Sequence, residues 1–247
     1  MSAEESLELH PRRKFVIAID GPAGAGKSTI ARHLARRFGL LNLETGAMYR
    51  AFALKALRSE IPLDDSAALE RLAAETSIRL ESGDEENRVL LDGEDVTGQI
   101  RNQTVTDAAS RVSVFPRIRA AMVRRQQEMG ADGGVVMEGR DIGTVVFPDA
   151  EVKIFLDAAP EVRGLRRFDQ IGKHAPQAAR QPEEVIRDLR ARDERDRNRA
   201  DSPLKPAPDA FLLDSTHMSL EEAVKTAEDA VSAWLNRNKD KAQNVSR

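Results

Sequence analysis

The chain has 247 residues, enough for one large α/β domain with insertions and a sizeable core, and short for two full domains. Charged residues make up 32% and no stretch approaches the roughly 18 uncharged apolar residues of a membrane span, so a soluble protein is expected. The lack of cysteine excludes disulfides and thiolate metal sites, and a net charge of −3 argues against a dedicated nucleic-acid binder, although arginine is dense between Arg187 and Arg199.

Met1 to His10 is acidic and has no apolar h-region, so no secretory signal is visible and a cytoplasmic location is expected. Residues 1–13 and 237–247 are polar and aperiodic and read as tails around a domain over 14–236. The run Phe15-Val16-Ile17-Ala18-Ile19 is apolar and rich in β-branched residues, as in a strand buried on both faces of a parallel sheet. Gly21-Pro22-Ala23-Gly24-Ala25-Gly26-Lys27-Ser28 follows and fits G-x-x-x-x-G-K-[ST]. Ile30, Leu34, Ala35 and Phe38 then recur at helical spacing. Strand, glycine-rich loop and helix in this order predict a phosphate site of the P-loop type. Its backbone N–H groups and helix dipole face an anion, Lys27 reaches the β- and γ-phosphates of a nucleotide, and the Ser28 hydroxyl ligates Mg²⁺.

Further on, 40–44 reads as a second strand, and Thr45-Gly46 leads into a helix carrying Met48, Phe52, Leu54 and Leu57. Asp64 or Asp65 can cap another helix reaching about Glu75. From 77 to 100 the period becomes two, with turns at Ser82-Gly83-Asp84 and Asp92-Gly93, and predicts a small antiparallel hairpin insertion. Helices follow at about 103–113 and 117–129, the second opened by Pro116. Core strands are expected at 133–137, 152–156 and 210–213, giving a five-stranded parallel sheet flanked by helices. The highly charged stretch 163–208 reads as a helical, mobile lid, and the last helix runs from about Ser219 to Leu235 with Val224, Ala227, Val231 and Leu235 on one face.

Beyond the P-loop, four places can carry chemistry. On a helix, Arg192, Arg195, Asp196 and Arg199 fall at i, i+3, i+4 and i+7, a face suited to phosphate and ribose; the alternative is a solvated face laced with ion pairs. Thr45, Tyr49 and Arg50 put a hydroxyl, a phenol and a guanidinium at the mouth of the second βα turn, where Tyr49 can equally be a core aromatic. Ser110 and Arg119 flank Pro116 and by themselves read as ordinary surface. Glu138-Gly139-Arg140-Asp141 ends the third core strand; either carboxylate can be the acid near Mg²⁺, or Asp141 can cap the next turn. His10, His33, His174 and His217 are scattered without ligand spacing or a partner carboxylate and read as surface residues.

Taken together, from about Phe15 to Leu235, the chain resembles the bacterial cytidylate kinases. The resemblance rests on Ile19-Asp20 through Ser28, Glu44-Thr45-Gly46-Ala47-Met48-Tyr49-Arg50, Glu94-Asp95-Val96-Thr97-Gly98-Gln99-Ile100-Arg101, the stretch from Gly139-Arg140-Asp141 to Phe147-Pro148, and Arg195-Asp196-Arg197-Asn198-Arg199. It implies a monomeric enzyme that phosphorylates CMP and dCMP with ATP and Mg²⁺. It further implies a core over 14–45, 132–160 and 209–236, a monophosphate-binding region over 46–131 that holds the hairpin, and a lid at about 163–208. ATP would bind from Gly21 through Ser28 and at Thr29. Ser110, Arg119 and Asp141 would read the cytosine, Arg192 and Asp196 the sugar, and Arg50, Arg140 and Arg199 the acceptor phosphate, with Thr45 and Tyr49 alongside. Lys27, Arg140, Arg192 and Arg199 form the implied catalytic set. Thr45 stands where the family often has serine, and the match over His174 to Arg180 is loose.

The acceptor phosphate has a second pKa of about 6, so it needs no general base, and catalysis falls to charge neutralisation by Lys27, Mg²⁺ and lid arginines such as Arg166 or Arg167. Rival readings are a kinase for another nucleoside monophosphate or for a small metabolite such as shikimate, a switch GTPase, and an RNA-binding module. Asp95-Val96-Thr97-Gly98 matches D-x-x-G but lies in the insertion, and Asn238-Lys239-Asp240-Lys241 lacks the final aspartate of N-K-x-D. Aromatics, at 4%, are too few for a base-stacking surface.

Overall fold

A computed structural model describes residues 14–81, 83, 87–174 and 181–245; the expected tail 1–13 and most of the loosely matched stretch before Arg180 lie outside these residues. The first half of the chain builds β1 (Lys14–Asp20), α1 (Lys27–Phe38), β2 (Leu41–Glu44), α2 (Thr45–Arg58), α3 (Ser66–Ala74) and three short strands, β3 (Ile78–Glu81), β4 (Arg88–Leu91) and β5 (Glu94–Asp95). After these come α4 (Gln103–Val112), α5 (Pro116–Met129), β6 (Gly133–Gly139), β7 (Val152–Asp157), α6 (Pro160–His174), α7 (Pro182–Asn198), β8 (Phe211–Asp214) and α8 (Leu220–Val245).

The five longer-range strands form one parallel sheet in the order β2-β6-β1-β7-β8. The central β1 is buried on both faces, as its unbroken apolar run requires, with Val16, Ile17 and Ile19 fully enclosed. On one face α1 and α8 pack through Ile30, Leu34, Ala227 and Val231. Between these helices Glu228 accepts from His33 Nε2 at 2.8 Å and Arg37 Nε at 2.7 Å, so His33 does have a partner carboxylate, one that sequence spacing could not reveal. The α8 helix continues to Val245, past the apolar face that ends near Leu235.

The insertion is a three-stranded antiparallel sheet, β3-β4-β5, and not a simple hairpin. Asp92 and Gly93 both have positive φ, 50° and 90°, the two-residue turn that folds β5 back along β4. This sheet shares a second core with α2 to α5, built on Phe52, Leu69, Ile100, Ile118 and Met122. Of the two candidate caps for α3, Asp65 does the capping, accepting from Ala68 N at 2.9 Å.

Candidate active site

The P-loop leaves β1 at Gly21, whose φ is 149° and where an added Cβ would sit 1.9 Å from Leu156 O, so the β7 backbone occupies the space of any side chain. Gly24 and Gly26 also have positive φ, 77° and 100°, and Gly26 caps α1 from the left-handed region. The start of α1, with Lys27, Ser28 and Thr29 in its first turn, therefore faces the loop's interior with its positive dipole end. Pro22, Ala23 and Ala25 are buried in the loop wall, and Thr29 is exposed.

Lys27 does not face solvent: it is 6% exposed and Nζ donates to Pro22 O at 2.8 Å, folding back across the loop. Burial, and then the neighbouring Arg140, push its ammonium down to about 7. An anion brought alongside reverses that shift, since opposite charge favours the charged form.

Of the two carboxylates that end β6, Glu138 is the one beside the P-loop. Side chains alternate across a strand, so Glu138 points to the Ser28 hydroxyl and the Lys27 ammonium, and it stands in register with Ile19 and Glu44 of the flanking strands. Burial, reinforced by Glu44, raises its carboxyl to about 7, and its Oε1 has no hydrogen-bond partner among the described residues. Burial also pushes Glu44 upward, but Arg50 outweighs it through a 2.5 Å bond and leaves Glu44 below the usual carboxylate range. Thr45 is buried, and its hydroxyl donates to Glu138 O at 2.8 Å.

Asp141 makes no capping hydrogen bond at the helical turn Ile142–Val146 that follows it. Its side chain is buried against Arg119, which donates from Nη2, and its Oδ1 lies 4.0 Å from Arg199 Nη2. Arg119 is itself buried, donates to Ser113 O at 3.2 Å and sits 5.7 Å from the centre of the Tyr49 ring. Burial pushes the half-buried Tyr49 phenol up to about 12, so it remains a donor at neutral pH. Ser110, far from being surface, is buried and its hydroxyl accepts from Arg195 at 3.2 Å.

The charged face of α7 turns inward. Arg140 Nε donates to Asp196 Oδ2 at 2.9 Å, and Arg199, just past the helix end, donates to Ser202 O and stands 3.8 Å from Asp196 Oδ1. Burial alone would raise Asp196, but Arg140, Arg192 and Arg199 hold it below its ordinary value. Burial and then Arg140 lower Arg192 to about 10, and its Nε has no hydrogen-bond partner among the described residues. Three guanidiniums, Arg140, Arg192 and Arg199, thus face one carboxylate, Asp196, an arrangement suited to an anion.

Several participants carry little local sequence signal. Asp20, at the end of β1, accepts from the backbone N–H of Ile142 at 2.8 Å and Gly143 at 2.7 Å, so it pins the turn that follows Asp141. Burial raises its carboxyl to about 6 despite those two bonds. A polar residue closing an apolar strand was the available hint. Arg163 and Asp193 form a buried pair across the expected lid. Arg166 donates to Ser215 and so is engaged at the start of the β8–α8 connection, not on the P-loop; Arg167 lies near Arg192. The D-x-x-G match is occupied by its own turn, with Asp95 Oδ1 accepting from Thr97 N at 3.0 Å and Asp95 Oδ2 from Arg88 at 2.7 Å.

Among the described residues no helix is long and apolar enough to cross a membrane. A cytidylate kinase family profile matches residues 17–233. A cytidylate kinase of Pasteurella multocida is 48% identical over 214 residues, covering 87% of this chain and 93% of that one. A cytidylate kinase of Pelotomaculum thermopropionicum is 50% identical over 222 residues, covering 88% and 96%. Among solved structures, a shikimate kinase from Bacteroides thetaiotaomicron aligns over 90% of this chain and 98% of its own at a TM-score of 0.47 and 13% identity. With the parallel sheet, the P-loop and most of the chain matched, the protein belongs to the cytidylate kinase family.

Proposed function

We propose that the protein transfers the γ-phosphoryl group of ATP to the phosphate of CMP or dCMP, as a monomer, with residues 46–131 binding the monophosphate and 163–208 serving as the lid. The observation that supports this reading best is one charge cluster drawn from four parts of the chain: Lys27, Glu138 and Asp20 at the P-loop, Arg140 after β6, Arg50 on α2, and Arg192 and Asp196 on α7. It lies beyond the carboxyl ends of β1, β2 and β6, where open parallel sheets bind ligands.

In this reading Lys27 exchanges the Pro22 carbonyl for the β- and γ-phosphate oxygens, and the loop's N–H groups hold the rest of the triphosphate. Arg50, Arg140 and Arg199 hold the acceptor phosphate with Tyr49 beside it, Arg192 and Asp196 contact the sugar, and Ser110, Arg119 and Asp141 face the base. Thr45 supports this wall through its bond to Glu138 O. The acceptor dianion attacks without a general base, so the protein's task is to align two anions and offset their charge.

The donors at the loop fit Mg²⁺: Ser28 and Glu138 offer hard oxygens, and Glu138 Oε1 is buried without a hydrogen-bond partner among the described residues. When bound, the ion neutralises charge on the phosphoryl oxygens. Among the described residues no group of three or more His, Cys, Asp or Glu is placed to hold a metal ion.

ATP-dependent phosphorylation of a panel of CMP, dCMP, UMP, AMP, GMP and shikimate tests the reading. CMP and dCMP should give the highest kcat/KM, and a preference for any of the others would refute it.

A further inference from the structure

We propose that Arg163 is a positioning residue that ties the P-loop to α7, so that occupation of the CMP site is felt at the ATP site. Its side chain is 1% exposed and reaches three separate parts of the fold. Nε donates to Ala158 O at 2.7 Å at the end of β7, Nη1 to Ala23 O at 2.9 Å in the P-loop, and Nη2 to Asp193 Oδ2 at 2.6 Å on α7. The guanidinium's fixed fork makes these three directions interdependent, so displacing one acceptor strains the other two.

The packing agrees with the polar contacts. A Cβ on Gly24 would lie 3.1 Å from Arg163 O, so the loop rests directly on the backbone of α6. Ala23 packs with Val185 and Leu189 of α7 and with Phe168 of α6. At Gly164 an added Cβ would be 2.2 Å from Ile186 Cγ1, so α6 and α7 touch there without room for a side chain. The base of the lid is therefore fastened to the P-loop, and a shift of α7 is passed to the Ala23 carbonyl through a network with few alternative arrangements. Arg192 and Asp196 lie on the same helix as Asp193, with Arg199 just past its end. This inference rests on the assignment of those three residues to the CMP site.

The test is calorimetric titration of the full chain with Mg²⁺ and adenylyl imidodiphosphate, a non-hydrolysable ATP analogue, with and without saturating CMP. Wild type should bind the analogue about fivefold or more tightly when CMP is present, the lower end of ordinary coupling between sites. Asp193→Asn keeps the side-chain volume and removes the charge that holds Arg163. It should bring this ratio to within about twofold of one, with affinity for CMP alone within about twofold of wild type. A purely structural role would lower thermal stability and leave the ratio unchanged. If Asp193→Asn fails to fold, Arg163→Lys, which keeps the charge but not the fork, carries the same expectation. A ratio preserved in a folded variant, or a wild-type ratio near one, overturns the proposal. CMP titration of Arg199→Met separates the two levels. Unchanged CMP affinity there overturns the site assignment and this inference with it, whereas weakened CMP binding together with preserved coupling in Asp193→Asn overturns only the role of Arg163.

Discussion

Replacing Asp141 with asparagine should weaken the preference for CMP over UMP. Cytosine offers an N4 amino donor where uracil offers an O4 acceptor, so a carboxylate accepts from one and repels the other. The Asp141 carboxylate is committed on one side to Arg119, and its Oδ1 is too far from Arg199, at 4.0 Å, for a hydrogen bond. An asparagine there keeps its carbonyl toward Arg119 and turns its amide toward the base, where it suits uracil. A hydrogen bond to a charged group contributes about 1.5–3 kcal/mol, so the CMP to UMP ratio of kcat/KM should fall by roughly tenfold to a hundredfold or more. The substitution must be asparagine, because alanine would leave Arg119, only 3% exposed, without the charge and without the acceptor oxygen that its Nη2 uses, whereas asparagine gives up the charge and keeps the oxygen. Deleting one partner of a buried pair costs about 3–5 kcal/mol, and at about 2–4 °C per kcal/mol in a chain of this size that approaches unfolding. Initial rates with CMP and UMP, alongside a thermal melt, provide the assay. A folded Asp141→Asn enzyme with the wild-type CMP to UMP ratio would refute the assignment of Asp141 to the base.

Lys27→Met should lower kcat by about a hundredfold to a thousandfold or more, the effect of removing a group aimed at transition-state charge, while the melting temperature holds; an unchanged turnover number would show that Lys27 does not act on the phosphoryl group. Gly21→Ala should destabilise the fold severely, since its Cβ would fall 1.9 Å from Leu156 O, and an unaltered melt would contradict the close approach of β7 to the loop. The Asp20 carboxyl is raised from an ordinary 3.8 to about 6, so the folded state holds a proton there that the unfolded chain releases. Stability from this group is therefore present below about pH 4 and lost as pH rises towards 6, and the urea midpoint of Asp20→Asn should fall less steeply over that window than that of wild type; parallel slopes would dismiss Asp20 as the titrating group.

Local patterns in the sequence were enough for the parallel αβ frame and the P-loop, because these depend on short-range features. An apolar β-branched run makes β1, glycines allow the loop's positive φ, and Arg192, Asp196 and Arg199 share a face through helical spacing. The five strands could be recognised one by one, but their order β2-β6-β1-β7-β8 could not be read from them, because it depends on which buried faces pack together. The same limit applies inside the site. Only the register of β6 against β1 and β2 put Glu138 rather than Asp141 beside Ser28. Only the docking of α7 revealed that Asp193 and Arg195, two members of a charged run that would pass for solvated surface, are held by Arg163 and Ser110. Arg163 and Ala23 are 140 positions apart in sequence, and Asp20 and Ile142 are 122 apart. Such a contact leaves no periodicity to detect. It exists because a buried charge must find its counter-charge or a carbonyl wherever the packed elements bring one within reach, and that geometry is set by the tertiary fold alone.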